Sequence, residues 1–190
     1  MRLKDEQKIE AIYQATLRLN EKLGFVGMTM AKIAKEAGIA TGTLYIYFKN
    51  KEVLINELYL YLKKRKAKNL LAGWRADKPF KLALKHVVVA HLRNSIENRQ
   101  ESAFLEQYFR SPFIREEVQN QGMELFAPFF EMVEDGKKQM IIKDLDDLLL
   151  FAVINGISSE FENLINSGQM ELNQENLDLI YSLIWDALKA

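Results

Sequence analysis

Apolar residues recur at steps of three and four along almost the whole chain, and no stretch shows the apolar–polar alternation of a half-buried strand. Residues 5–23 are a clear case, because Ile9, Ile12, Leu19 and Leu23 fall on one helical face. Only three prolines interrupt 190 residues, and helix interiors exclude proline. The periodicity therefore predicts an all-α protein of about nine helices.

Short breaks set the expected helix boundaries. Gly24 and Gly38 are expected to end the first two helices, and Thr29 and Thr41 to cap the starts of the second and third. A longer helix is expected from Lys51 to about Trp74.

Farther along the chain, one helix is expected from about Ile114 to Glu134, closed by Asp135-Gly136. Two more are expected over about 144–166, closed by Ser167-Gly168, and over 173–188. The expected domains are residues 1–50 and residues 51–190, with 51–74 as the linking helix.

The charge is unevenly distributed although the net charge is zero. Residues 1–70 carry 14 Lys and Arg against 7 Asp and Glu, so the remainder of the chain carries the opposite excess. A basic end and an acidic end indicate that one end meets a polyanion. Chance scatter remains the alternative, since the run at 63–68 supplies much of the excess and a charged run is usually a solvated helix face.

The composition excludes several kinds of site. The absence of cysteine removes thiolate catalysis, zinc knuckles, iron–sulfur clusters and disulfides, and it fits a reducing cytosol. His86 and His91 are five residues apart, a spacing that does not place two metal ligands on one helical face. The acidic run at 144–147 is interpreted as capping of a helix start, the alternative being a metal-binding or acid-catalyst run. No enzyme activity, cofactor or metal is predicted.

No membrane partner is expected either. The first six residues lack the apolar core of a signal peptide, and the longest apolar run, 148–154, is seven residues against the ~20 that span a bilayer. A cytoplasmic protein is predicted.

Residues up to 50 fit a helix-turn-helix unit, in which a short last helix enters the DNA major groove. Gly38 permits the tight turn and Ile39 fills the core between the helices. Leu44, Tyr45 and Phe48 are expected to anchor the third helix from beneath. The outward set is then Thr41, Gly42, Thr43, Ile46 and Tyr47. These side chains suit a groove, with hydroxyls for phosphates or base edges and an apolar contact for a thymine methyl.

Lys51 begins the next helix, where an ammonium and free backbone amides together suit a phosphate.

Residues 29–54 read TMAKIAKEAGIATGTLYIYFKNKEVL. A Thr followed by Ile-Ala, Ala-Gly, Gly-Thr-Leu-Tyr, a Tyr-Phe pair and Lys-Glu with Leu resembles the signature of TetR-family transcriptional regulators. The resemblance covers about residues 5–60. Asn20 departs from it, because the family usually has an apolar aromatic residue there.

The resemblance implies roles for residues at matching positions. Phosphate contacts would come from Thr29, Thr43, Tyr47 and Lys51, and base contacts from Met30, Ala31, Thr41, Gly42, Thr43 and Ile46. Lys32 is placed in the same DNA-binding set. Tyr45 could serve the core, a phosphate or both. The alternative for each residue is that it only builds the small core of the unit.

The last two predicted helices carry broad apolar stripes, which suit burial on more than one face. The resemblance implies a four-helix bundle shared by two subunits, and burial within a monomer is the alternative. The expected dimer residues are Leu148, Leu149, Ala152, Gly156, Leu177, Tyr181 and Ile184.

The aromatic-rich middle of the chain is where the resemblance implies a cavity for a small-molecule effector. Such a pocket is mostly apolar with a few polar anchors. The candidates are His86, His91, Asn94, Phe104, Tyr108, Phe109, Phe126, Phe130 and Asn155. Ordinary core or surface positions are the alternative for each.

Together these features favour a ligand-responsive regulator that binds double-stranded DNA as a homodimer, most often a repressor in this family. The alternative is an all-helical ligand-binding or adaptor protein that uses its N-terminal helices for protein contacts.

Overall fold

The computed structural model describes residues 2–75, 77–109, 111–113 and 115–190, with side chains from residue 5 onward. These residues form ten α-helices, and the only extended pairing among them is an isolated bridge between Ile142 and Lys189. In chain order the helices are α1 (Arg2–Gly27), α2 (Met30–Glu36), α3 (Thr41–Tyr47), α4 (Lys51–Leu71), α5 (Phe80–Glu97), α6 (Arg99–Phe109), α7 (Glu116–Glu124), α8 (Ala127–Lys138), α9 (Asp147–Asn166) and α10 (Gln174–Leu188). The all-α prediction is confirmed.

The chain divides into two compact units. Unit 1 comprises residues 1–64 and 99–124, and unit 2 comprises residues 65–98 and 125–190. Helix α4 contributes its first two-thirds to unit 1 and its last turns to unit 2. The compact units do not coincide with the predicted domain boundary at residue 50, because unit 1 also includes α6 and α7. That boundary stays a prediction about which part of the chain binds DNA.

The tenth helix arises where a single helix was predicted from Ile114 to Glu134. Helix α7 ends at Glu124, and α8 begins at Ala127 with Pro128 in its first turn. Proline lacks an amide hydrogen and clashes with the preceding turn, so it is tolerated at a helix start and breaks a continuous helix. The predicted start, Ile114, lies outside the described residues.

Gly136 was predicted to end a helix, and this is wrong. Helix α8 continues through it to Lys138. Gly136 is buried, and a Cβ there would collide with the ring of Phe80. The glycine therefore permits the close approach of an aromatic ring rather than a change of backbone direction.

In unit 1, α1, α2 and α3 enclose a small core that α4 and α6 extend. Its fully buried side chains include Ile12, Leu17, Ile33, Leu44, Leu54, Leu58 and Phe104. Helix α1 is interrupted at Gly24, whose φ of 60° and ψ of 177° leave the helical region. The predicted break at Gly24 is thus confirmed.

Asn20 lies in this core, where the family usually has an apolar aromatic residue. Its side chain is fully buried, and neither atom of its amide has a hydrogen-bond partner in the described part of the chain. Thr16, on the same helix, is equally buried but donates to the carbonyl oxygen of Ile12 at 2.8 Å. The Asn20 amide therefore loses its hydrogen bonds to water without replacement, which destabilises the folded state.

Unit 2 is built on the inner faces of α5, α9 and α10. Its buried side chains include Leu84, Val88, Leu92, Leu150, Ile154, Phe161, Leu177, Ile180, Tyr181 and Ile184. The Tyr181 hydroxyl donates to the carbonyl oxygen of Lys81 at 2.6 Å, which joins α10 to α5.

Helix α9 is, among the described residues, the one helix that is long and apolar enough to cross a membrane by length and composition. The uninterrupted apolar run at 148–154 underestimated the apolar length of this helix, because apolar residues continue to recur after Asn155. Only 17% of the apolar stretch of α9 is buried within the subunit, and the buried side chains include Leu150, Ile154 and Phe161, which pack in unit 2.

Replacing Asn20 with leucine should raise the free energy of unfolding by about 1–2 kcal/mol, because an unpaired buried amide gives way to an aliphatic side chain of similar size. Urea unfolding followed by circular dichroism measures the change. The matched control is Asn56→Leu, which removes a buried amide that is hydrogen-bonded to the carbonyl oxygens of Glu52 and Phe113 and should destabilise the protein. Equal losses of stability in the two variants would contradict the interpretation of Asn20.

Candidate nucleic-acid interface

Helix α2 begins with a side-chain cap. The Oγ1 of Thr29 accepts a hydrogen bond from the backbone N–H of Lys32 at 3.2 Å, and Thr29 has an extended backbone. The cap satisfies one of the amide hydrogens that a helix start leaves without partners. The predicted role of Thr29 as N-cap is confirmed.

The turn between α2 and α3 depends on Gly38, whose φ of 69° lies in the left-handed region that favours glycine. The next residue, Ile39, donates its backbone N–H to the carbonyl oxygen of Ala34 at 3.0 Å. This bond closes the end of α2 and directs the chain into α3, as the helix-turn-helix prediction requires.

Helix α3 starts one residue earlier than predicted. Ala40 is its N-cap, and the first bond runs from the N–H of Thr43 to the carbonyl oxygen of Ala40 at 2.9 Å. Thr41 therefore does not cap the helix. Its side chain is exposed on the first turn, at the end of the helix from which a recognition helix contacts bases.

The outer face of α3 carries the side chains that were predicted to meet DNA. Ile46 is 80% exposed and Tyr45 is 52% exposed, so Tyr45 is not the core anchor that was one of its predicted roles. Thr41 and Gly42 are also exposed, and Thr43 is half-buried. We call these five residues, Thr41, Gly42, Thr43, Tyr45 and Ile46, the reading face.

Leu44 and Phe48 lie beneath the reading face and are almost fully buried. The ring of Phe48 packs against that of Tyr13, with 5.8 Å between centroids. The predicted anchoring by Leu44 and Phe48 is confirmed. On α2 and its cap, Thr29, Ala31 and Lys32 are exposed.

Met30 does not join the exposed set, so its predicted base contact is wrong. Only 8% of Met30 is exposed, and it belongs to the core of unit 1. Its neighbours Thr29 and Ala31 point outward, and the helical repeat then turns Met30 inward, where a flexible thioether side chain fills space well.

Two side chains predicted to hold phosphates have partners within the protein. The Tyr47 hydroxyl donates to a carboxylate oxygen of Asp5 at 2.8 Å, and this hydrogen bond raises the pKa of Tyr47. The Nζ of Lys51 donates to the carbonyl oxygens of Phe25 and Met28 at 2.9 and 3.0 Å. Sequence reasoning missed both pairings because each joins residues more than twenty positions apart.

Comparison with known proteins agrees with this geometry. The family model for bacterial regulatory proteins of the tetR family matches residues 12–58, and the model for the tetracyclin repressor-like C-terminal domain matches residues 79–189, more than half of the chain. The chain belongs to the TetR family.

Two relatives show how far the similarity extends. An HTH-type transcriptional regulator of Haemophilus influenzae is 48% identical over 48 residues, which span 25% of this chain and only 26% of that protein. The crystal structure of a TetR-family transcription regulator from Marinobacter aquaeolei superposes with a TM-score of 0.93 at 26% identity, covering 100% of this chain and 99% of that one.

The fold is also shared with FadR of Bacillus subtilis, which was solved in complex with stearoyl-CoA. That structure has a TM-score of 0.67 at 20% identity and covers 93% of this chain and 95% of the FadR chain.

The dimer residues predicted for this TetR-family chain divide into two groups. Leu148, Leu149, Ala152 and Gly156 lie on the exposed face of α9. Leu177, Tyr181 and Ile184 are buried in the core of unit 2, so their prediction as interface residues is wrong. The stripe that they form on α10 faces the subunit's own core, and the apolar residues exposed on α10 are Leu179 and Leu183.

The effector candidates do not form one lining. Phe104 and Tyr108 are fully buried in unit 1, where Tyr108 donates to Asn56 at 2.6 Å, and Phe109 is exposed in the same unit. The residues that belong to unit 2 are His86, His91, Asn94, Phe126, Phe130 and Asn155. The rings of Phe104 and Tyr108 fill the core of unit 1, and their place in an effector pocket stays a prediction.

The polar candidates of unit 2 differ in exposure. His86 is exposed, and its Nε2 lies 2.8 Å from the carbonyl oxygen of Ala72. Asn155 is exposed on α9, and its place in a pocket stays a prediction. His91, Asn94, Phe126 and Phe130 are half-buried and remain candidates.

Lys66 is a polar group of unit 2 that sequence reasoning missed. Burial lowers the pKa of its ammonium to about 8, and the attraction of Glu162 opposes that shift only partly. The run at 63–68 gave no signal for this residue, because a basic run on a helix was interpreted as a solvated face. Within that run Lys63, Arg65 and Lys66 are half-buried, whereas Lys64 and Lys68 are exposed.

Replacing Thr29 with alanine should destabilise α2 by about 1 kcal/mol, because the cap at its first turn is lost. Thr29→Ser retains a hydroxyl and should keep most of that stability. Amide hydrogen exchange at residues 33–37 measures the local effect directly. Equal protection in the alanine and serine variants would contradict the capping role.

Proposed function

We propose that this TetR-family chain is a cytoplasmic, homodimeric repressor, which binds a pseudo-palindromic operator and leaves it when a small apolar or amphipathic effector binds. The observation that supports the DNA-binding role is the reading face of α3. Ile46 is 80% exposed and Tyr45 is 52% exposed. Leu44 and Phe48, which anchor α3, are almost fully buried. Apolar side chains that are exposed to water contribute little to the stability of the fold, but they suit contact with thymine methyl groups.

One reading face covers only a few base pairs, so operator recognition needs two. A two-fold axis that places the α3 helices of two subunits about 34–36 Å apart would fit successive major grooves.

Replacing Ile46 with alanine should change the preference between bases at one or two operator positions, with a loss of about 1–3 kcal/mol of discrimination there. The operator is obtained by selection from random duplexes, and single-base variants are compared by competition binding. Leu82→Ala, at an exposed apolar position on α5, is the matched control and should leave the preference unchanged. An unaltered base preference in Ile46→Ala would contradict the assignment of the reading face.

The same binding measurements separate the regulator from an adaptor. A duplex-binding protein loses affinity steeply as salt rises, because bound counterions are released from DNA. A complete absence of duplex binding at low ionic strength would favour the adaptor.

Dimerisation is supported by the apolar side chains that α9 and α10 leave in water. Leu148 is 79% exposed and Leu183 is 50% exposed, with Leu149 and Leu179 exposed to a similar degree. Gly156 lies on the same face of α9 as Ala152, and nothing lies within 4 Å of the position its Cβ would take. Small residues of this kind allow a partner helix to approach closely.

The double variant Leu148→Asp with Leu183→Asp should convert the dimer to a folded monomer, because each change would bury an unpaired carboxylate at the interface. Light scattering after size-exclusion chromatography gives the mass, and circular dichroism confirms that the helices remain. Leu82→Asp places the same charge on α5 and should leave the dimer intact. A double variant that remains dimeric would place the interface elsewhere.

The effector is expected to enter unit 2, whose core is apolar. A cavity of about 10 Å³, room for one water molecule, lies there between Phe129, Val133, Leu150 and Ile154. An effector larger than a water molecule that entered this cavity would have to open the core and bind an expanded state better than the closed one. Operator affinity then falls by the ratio of the two effector affinities, and operator DNA weakens the effector equally.

FadR of Bacillus subtilis, which shares this fold, was solved in complex with stearoyl-CoA, and this amphipathic ligand supports the proposal of an amphipathic effector.

A further inference from the structure

Tyr47 is the last residue of α3 and directly follows Ile46 of the reading face. Its hydroxyl donates to a carboxylate oxygen of Asp5 at 2.8 Å, and both side chains are half-buried. Asp5 lies in the first turn of α1. This hydrogen bond therefore joins the start of α1 to the end of α3, next to the surface that is proposed to meet DNA.

The bond to Asp5 uses the only hydrogen that a tyrosine hydroxyl can donate. A phosphate group of DNA offers acceptor oxygens and no donor. The Tyr47 hydroxyl therefore cannot hold a phosphate while it donates to Asp5. The same hydrogen bond keeps the proton on the hydroxyl and raises the pKa of Tyr47.

The Asp5 carboxylate also opposes a phosphate by its charge. Helix α3 contains no Asp, Glu, Lys or Arg, so Asp5 brings a negative charge to the end of an otherwise uncharged helix. A phosphate oxygen bound to the Tyr47 hydroxyl would lie within a few ångströms of this carboxylate, a separation at which salt screens the repulsion only weakly. A phosphate contact at Tyr47 therefore requires that the hydroxyl leave Asp5.

A second tyrosine of unit 1 makes the same kind of bond away from the reading face. The Tyr61 hydroxyl of α4 donates to a carboxylate oxygen of Glu10 at 2.7 Å, and the Tyr61 ring lies against that of Tyr13, with 4.9 Å between centroids. Neither Tyr61 nor Glu10 belongs to the predicted DNA-binding set. Their bond joins α1 to α4 and provides a matched control for the bond between Tyr47 and Asp5.

We propose that Asp5 competes with operator phosphate for the Tyr47 hydroxyl and thereby lowers the affinity of the protein for DNA. This inference rests on the proposed DNA-binding function and on the predicted phosphate contact of Tyr47. Operator binding exchanges one hydrogen bond to an anion for another, so the hydroxyl adds little net affinity in the wild type. Removing the carboxylate leaves the hydroxyl available to the phosphate.

The test is a double-variant cycle in operator affinity, measured by fluorescence anisotropy with the full-length protein and its selected operator at about 0.15 M salt. Asp5→Ala should bind about tenfold more tightly than the wild type, because each subunit of the dimer gains a phosphate hydrogen bond without breaking another. Tyr47→Phe should stay within about twofold of the wild type, since the exchange of partners no longer occurs. The double variant should also stay within about twofold, because no hydroxyl remains for the phosphate.

Two variants control for charge and for the loss of a hydroxyl. Glu6→Ala removes the same charge from the exposed residue that follows Asp5 in α1, and it should change operator affinity less than about twofold at this salt concentration. Tyr61→Phe removes a hydroxyl that is bound to a carboxylate of the same helix, and it should leave operator affinity unchanged. Circular dichroism confirms that each variant is folded.

The bond to Asp5 is also measured without DNA. Titration followed by carbon NMR of ring-labelled tyrosine gives the pKa of Tyr47, which should fall towards its ordinary value in Asp5→Ala and stay raised in Glu6→Ala. A pKa that is the same in the two variants would contradict the contact on which the inference is built.

An Asp5→Ala protein that binds the operator no more tightly than Glu6→Ala would overturn the inference, as would an equal gain from Asp5→Ala in the Tyr47→Phe background. A loss of about tenfold in Tyr47→Phe alone would overturn it too, because the hydroxyl would then contribute a full phosphate contact beside Asp5. This last arm remains decisive if Asp5→Ala does not fold. A wild-type protein that binds no duplex would instead overturn the proposed function itself.

Discussion

The burial of Leu44 and Phe48 beneath α3 is the interaction on which the proposed function depends. A seven-residue helix is too short to be stable alone in water. It persists because these two side chains are almost fully buried among α1, α2 and α4, and because Gly38 directs the chain into it. The buried anchors hold α3 in place, and Ile46 and Tyr45 are then presented on a fixed surface. Their exposure to water costs some stability, but it occurs where these side chains can contact DNA.

Local chemistry made much of this architecture predictable from the sequence. The positive φ at Gly24 and Gly38, the cap at Thr29 and the anchoring by Leu44 all follow from residue type and helical spacing. The contacts that the sequence did not reveal have tertiary causes. Lys51 and Tyr47 find partners far away in the chain, and Gly136 accommodates the Phe80 ring, a contact that no local pattern records.

Periodicity also identifies an apolar stripe without identifying what covers it. On α10 the stripe that includes Leu177 belongs to the subunit's own core, whereas Leu179 and Leu183 remain exposed. On α9, by contrast, the predicted dimer residue Leu148 is 79% exposed, although the residues that follow it are as apolar as those around Leu177. The aromatic residues predicted to line one pocket divide between the two units for the same reason, since Phe104 fills the core of unit 1 and Phe126 and Phe130 belong to unit 2.

The central claim, that the reading face of α3 meets base edges, is tested most directly by methyl NMR of isoleucine-labelled protein titrated with its selected operator. The Ile46 methyl resonance should shift strongly and show nuclear Overhauser contacts to a thymine methyl or base proton. The resonances of Ile12 and Ile33, which are fully buried, should shift little. An Ile46 resonance that stays unchanged at saturating operator would contradict the account.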